Sequence, residues 1–187
     1  MKEIIIENFK EHLEVLDRSR NCLVDNIQEV SKLITDSIQH GGKLIICGNG
    51  GSAADSQHIA AELIGRFKKE RKGLPAVALT TDTSILTAVG NDYGFDKIYA
   101  RQIEAIAENR DVFVGISTSG NSKNIIEAAK AAKKMGCSLV GLSGMDGGEL
   151  SSLCKFNINV PSKNTARIQE VHIFIGHIIC EILEKNY

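Results

Sequence analysis

The stretch KLIICGNGGS, residues 43–52, joins a short apolar run to a glycine-rich turn, and its reading decides the fold. KLIIC (43–47) has the near-continuous apolar character of a strand buried on both faces. After Gly48-Asn49-Gly50-Gly51-Ser52 a helical pattern runs over about 53–66. Working outward, similar units recur. AVAL (76–79) reads as a second strand, and residues 84–89 and 97–107 read as helical. DVFVGI (111–116) is a third strand, followed by STSGNS (117–122) and a helix over 123–135 that Gly136 stops. SLVGL (138–142) is a fourth, and FNINV (156–160) a fifth, closed by Pro161. A long amphipathic helix over 165–184 completes the pattern. Short apolar strands alternating with helices predict an α/β domain with a parallel sheet covered on both faces.

Before the first strand stand two amphipathic segments. Ile6, Phe9, Leu13 and Leu16 share helical spacing, as do Ile27, Val30, Leu33, Ile34 and Ile38, and Gly41-Gly42 ends the second. Residues 1–41 therefore read as a helical extension to a single domain spanning 1–187. Its apolar stripes suit packing on that domain and on partner subunits.

Composition narrows the function. With 22 Lys+Arg against 23 Asp+Glu, the chain has no electrostatic case for nucleic-acid binding. Five cysteines, odd in number and without a CxxC pair, fit a reducing compartment rather than a disulfide framework. The apolar run Ile4-Ile5-Ile6 is too short for a signal peptide, and no stretch approaches the roughly 20 apolar residues of a membrane span. The expectation is a cytoplasmic protein with no membrane partner.

Ligands of such sheets sit outside the carboxyl ends of the strands. GNGGS lets backbone approach a ligand closely. STSGNS sets hydroxyl and amide side chains around one glycine just before a helix, whose free N–H groups suit phosphate. Either loop also reads as a tight turn with helix caps. Neither has the GxGxxG or GxxxxGK[ST] spacing of nucleotide sites, so a phosphorylated small molecule is favoured.

His58 and Glu62, four apart, share one face of a largely apolar helix. This is not the HExxH order, and such pairs also occur as simple hydrogen-bonded neighbours. His177 lies within IFIGHIIC, where a lone His is more often a satisfied core residue. Asn91-Asp92, between apolar flanks, also reads as a turn. Arg66 suits a carboxylate, a phosphate or the end of its helix.

Taken together, CGNGGSAADSQHIAAELIGRF, VGNDYGF, GISTSGNS and RIQEVHIFIGH resemble the phosphoheptose isomerases, a branch of the sugar isomerase (SIS) family. The match covers nearly the whole chain, in order. The resemblance implies a three-layer α/β/α sandwich with a five-stranded parallel sheet, assembled as a homotetramer with active sites between subunits. It implies isomerisation of D-sedoheptulose 7-phosphate to D-glycero-D-manno-heptose 7-phosphate, the first step of nucleotide-activated heptose synthesis for lipopolysaccharide or capsule. By the same resemblance, Asn49, Gly50, Gly51, Asn91 and Asp92 contact the sugar, and Ser117, Thr118, Ser119 and Ser122 hold its phosphate. His58, Glu62, Gln169 and His177 bind one zinc ion per subunit, Glu62 and Gln169 also touch substrate, and Glu62 and His177 form the acid/base pair. Gln169 and His177 are about 12 Å apart along an ideal helix, so sharing one ion requires their side chains to lean together or an irregular helix start. The competing expectation is a non-catalytic SIS tetramer that binds the replication initiator DnaA. Such relatives lack the acid/base pair that this chain keeps.

Overall fold

The computed structural model describes residues Met1–Tyr187. Seven helices and one sheet make up the chain. They run α1 (Lys2–Gln39), β1 (Leu44–Gly48), α2 (Gly51–Ile64), β2 (Ala76–Ala78), α3 (Thr83–Tyr93), a 3₁₀ turn (Phe95–Lys97), α4 (Ala100–Ile106), β3 (Val112–Ile116), α5 (Lys123–Lys134), β4 (Ser138–Gly144), α6 (Gly148–Leu153), β5 (Phe156–Val160) and α7 (Thr165–Glu184). The five strands are all parallel, in the order β2-β1-β3-β4-β5. The expected three-layer α/β/α sandwich with a five-stranded parallel sheet is what the chain forms.

The layers follow from the two-residue period of the strands. Leu44 and Ile46 of β1 and Val112 and Val114 of β3 face a core shared with Val30 and Ile34 of α1, Ile59 and Leu63 of α2, and Val171 and Ile175 of α7. Their neighbours Ile45, Cys47 and Phe113 face the opposite core, closed by Ile103 of α4, Ile125 and Ala129 of α5 and Leu150 of α6. Burial on both sides is why these strands read as unbroken apolar runs.

The N-terminal region departs from the expected pair of helices. α1 is one helix of 38 residues, about 57 Å long. The polar stretch between the two apolar stripes contains neither Gly nor Pro, and Ser19 is buried with its hydroxyl donating to the Val15 carbonyl at 2.8 Å. The C-terminal half of α1 belongs to the sandwich itself, while Ile4, Ile5, Ile6, Phe9 and Leu13 are exposed. α6, six residues long, fills part of the interval between β4 and β5 and is too short for a periodic signal.

Strand order reverses between β1 and β3, which are neighbours although β2 intervenes in sequence. The chain leaves β1 toward one edge and leaves β3 toward the other. A crevice opens at such a switch point, and the two loops read as ligand-binding are the ones that follow these two strands.

Candidate active site

The GNGGS loop leads straight into α2, which begins at Gly51 rather than at the expected residue 53. Gly50 precedes the helix with φ 55°, and no side chain caps the helix start. A Cβ on Gly51 would sit 2.9 Å from both amide atoms of Gln169, so the Gln169 side chain of α7 lies directly over the start of α2. The Asn49 side chain exchanges two amide hydrogen bonds with buried Asn124, at 2.9 and 2.8 Å. Asn124 lies in the first turn of α5, so this pair ties the loop after β1 to the helix after β3. Sequence reading missed Asn124 because nothing local marks an amide that pairs across 75 residues.

In STSGNS the hydroxyls divide. Ser117 donates to Ser122 Oγ at 3.0 Å, and Ser119 Oγ accepts the Asn121 N–H at 3.1 Å, so these shape the turn. Thr118 makes no side-chain hydrogen bond. Ser122 stands at the N-cap of α5 without capping it; the Ile125 N–H is met by the Asn124 side chain at 3.0 Å and by the Ser122 carbonyl, while the Lys123 and Asn124 N–H groups have no partner. Gly120 has φ 67°, and a Cβ there would fall 1.9 Å from the Gly147 carbonyl oxygen. The loop rests on the turn that starts α6, with Gly120 accepting from Leu150 N–H and Asn121 from Glu149 N–H.

The second cluster lies farther along α2 and α7. His58 Nε2 is 3.2 Å from Glu62 Oε1 and 3.4 Å from His177 Nε2, and the donor atoms of all three lie within 4.8 Å of one another. Two imidazole nitrogens and a carboxylate oxygen are the donor set of an open, three-ligand zinc site, so the residues present fit that metal. The His177 ring meets His58 edge-on at 5.0 Å and stacks on Phe67 at 5.4 Å with a 22° tilt. Asp55, one turn before His58, has a carboxylate oxygen buried without a partner. Burial raises its pKa, and the charge of His58 opposes the rise.

Gln169 is not with this cluster. α7 is continuous from Thr165, so the eight residues to His177 remain about 12 Å of helix, and the Gln169 amide lies against Gly51. Asn91 and Asp92 occupy the last turn of α3, not a loop, and are exposed. Their side-chain hydrogen bond is to each other, at 2.8 Å, and to none of the loop residues. Arg66 is exposed and pairs with Glu70 at 3.5 Å, the carboxylate reading among the three.

His172, between Gln169 and His177 on α7, faces the core. It is fully buried and its Nε2 lies 3.0 Å from the Ser143 carbonyl, which only accepts, so that nitrogen carries the proton. Nδ1 is left buried without a partner. Burial pushes its pKa down to about 4, only partly opposed by the Ser143 bond.

Comparison with known proteins bears on the family and the fold. The family model described as "SIS domain" matches residues 7–144. A phosphoheptose isomerase of Aliarcobacter butzleri is 51% identical over 186 residues, covering 100% of this chain and 98% of that protein. The solved phosphoheptose isomerase of Neisseria gonorrhoeae superposes with a TM-score of 0.94 at 44% identity, covering 98% of each chain. That of Francisella tularensis gives 0.95 at 36% identity, covering 98% of this chain and 97% of the other. A family model matched over most of the chain and relatives matched end to end lead to one statement: this chain belongs to the phosphoheptose isomerases, enzymes of the SIS domain family.

Proposed function

We propose that the protein converts D-sedoheptulose 7-phosphate to D-glycero-D-manno-heptose 7-phosphate, with Glu62 and His177 as the acid/base pair. The observation that carries this reading is the convergence of Glu62, His58 and His177 within 4.8 Å, on α2 and α7, which also meet at the GNGGS loop. The phosphate takes the free N–H groups of α5 together with Thr118, in a turn shaped by Ser117, Ser119 and Ser122. Asn49, Gly50, Gly51 and Gln169 line the sugar.

The chemistry moves one hydrogen between carbons and one between oxygens. Glu62 removes a proton from C1 and delivers it to C2, through an enediol(ate). His177 gives a proton to O2 as the ketone is consumed and takes one from O1 as the aldehyde forms. His58, Glu62 and His177 would hold one zinc ion per subunit, which supplies polarisation of the carbonyl when bound. A fourth ligand at Gln169 requires its amide to leave Gly51.

We also propose a homotetramer with active sites between subunits. The exposed apolar residues of α1 and the exposed Asn91 and Asp92 support that reading. No helix is long and apolar enough to cross a membrane. Five free cysteines, four of them buried, support a cytoplasmic enzyme. Supply of heptose for lipopolysaccharide or capsule is the role this product suits.

The test is conversion of sedoheptulose 7-phosphate followed by NMR with zinc supplied. The wild type turns over and Glu62→Gln loses at least about a thousandfold in kcat while still binding substrate. An inert wild type would favour the DnaA-binding alternative, and an active Glu62→Gln would remove that residue from its role.

A further inference from the structure

The segment between α2 and β2 spans residues 65–75. In the structure it is held by one carboxylate. Glu184, at the end of α7 and 2% exposed, accepts the backbone N–H groups of Phe67, Lys68 and Lys69 at 2.9, 2.7 and 2.9 Å. Arg71 Nε lies 3.3 Å from the same carboxylate, with both side chains buried. Burial alone would raise the Glu184 pKa, but the backbone donors and the nearby guanidinium outweigh it and hold the carboxyl below its ordinary value.

Arg71 reaches the other way. Its Nη2 donates to the Glu62 carbonyl at 2.9 Å and its Nη1 to the Leu63 carbonyl at 2.8 Å. These acceptors belong to the last turn of α2, whose carbonyls have no partner inside the helix. The one ion pair thus joins the turn carrying Glu62, the end of α7, and the loop between them. Phe67 projects from that loop onto the face of the His177 ring.

Burying an ion pair costs more desolvation than an apolar contact that would tether a loop equally well. What the pair adds is direction, because three N–H groups fix the backbone that aims Phe67. We propose that Arg71 and Glu184 are positioning residues for Glu62 and His177, acting through the carbonyl of Glu62 and through Phe67 stacked on the imidazole. The inference rests on the reading of Glu62 and His177 as the acid/base pair.

The test compares wild type, Phe67→Leu, Phe67→Tyr, Glu184→Gln and Glu62→Gln. Each is measured for kcat, KM and melting temperature, and each of the first four for the His177 ring resonance in histidine-labelled protein. Phe67→Leu keeps bulk but removes the ring. It should lower kcat about tenfold with KM changed less than about twofold, and shift the His177 resonance as the ring current disappears. Phe67→Tyr should restore both. Glu184→Gln should repeat the kcat loss and open Lys68 and Lys69 to trypsin. Phe67→Leu with wild-type kcat and an unmoved resonance overturns the proposal. So does a kcat loss that merely tracks the melting temperature or that tyrosine fails to rescue. An active Glu62→Gln sinks the acid/base reading instead, and the resonance in Phe67→Leu still decides whether Phe67 orients His177.

Discussion

Two pairs of helix starts in this molecule differ in one respect. α3 and α7 begin with side-chain caps, Asp82 accepting the Ile85 N–H at 2.9 Å and Asn164 the Ala166 N–H at 3.1 Å. α2 and α5, which begin at the sheet switch point, have no side-chain cap. An N-cap contributes about 1 kcal/mol, so the chain forgoes that stabilisation at the two starts that face the crevice. A side-chain cap takes one of the N–H groups that a phosphate would otherwise engage. α1, α4 and α6 also begin without a side-chain cap, so what marks α2 and α5 is an uncapped start placed at the switch point.

The sharpest way to break this contrast is to cap α5. Ser122 already has the extended backbone of a cap residue, so Ser122→Asp should close the first N–H groups with a carboxylate. The variant should melt about 2 °C higher, yet its KM for the sugar phosphate should rise about a thousandfold, through lost donors and like-charge repulsion. A stabilised variant with unchanged KM would show that the α5 start does not hold the phosphate.

A second test concerns α7 away from its cap. His172 has a folded-state pKa of about 4, below its ordinary 6.5. Above pH 6.5 the group is neutral folded or unfolded and contributes nothing. As pH falls from 6.5 toward 4 the unfolded chain takes up the proton first, so stability drops, by roughly 3 kcal/mol once below 4. Urea unfolding across that window should show a steeper loss for wild type than for His172→Gln, and parallel curves would exclude His172 as the cause.

The smallest effect is expected at a supporting start. Asp82→Ala should cost about 1 kcal/mol, a fall of about 2–4 °C in melting temperature, with kcat and KM unchanged. If KM rose as well, the division between supporting and ligand-facing helix ends would be wrong.

The strands and the loops after β1 and β3 were legible because their signals are local. Apolar runs bounded by glycine need only a few residues to declare themselves, and β5 and α7 span the ranges their patterns predict. His58 and Glu62 were legible as a pair for the same reason, four residues apart on one helix. Their meeting with His177 is a tertiary fact that only the family resemblance anticipated. α1 read as two helices because a polar interval resembles a break until Ser19 is seen buried inside it. Asn124, Arg71 and Glu184 left no mark in the sequence, and Phe67 stood only as the last residue of a stretch that carries the resemblance. Asn124 pairs across the sheet edge, Phe67 acts by stacking, and Arg71 and Glu184 bind backbone, which any residue type presents.

The side-by-side run of α2 and α7 also bears on how the protein comes to be active. The proposed phosphate site needs β1, β3 and β4 paired, α5 begun and the turn that starts α6 in place, contacts complete by Leu150 and before α7. The cluster of His58, Glu62 and His177 spans 119 residues, and closing so long a segment is slow. During refolding, protection of the 117–122 loop against hydrogen exchange should therefore precede the return of turnover, and for that interval the chain is a sugar-phosphate receptor that cannot yet release its ligand changed.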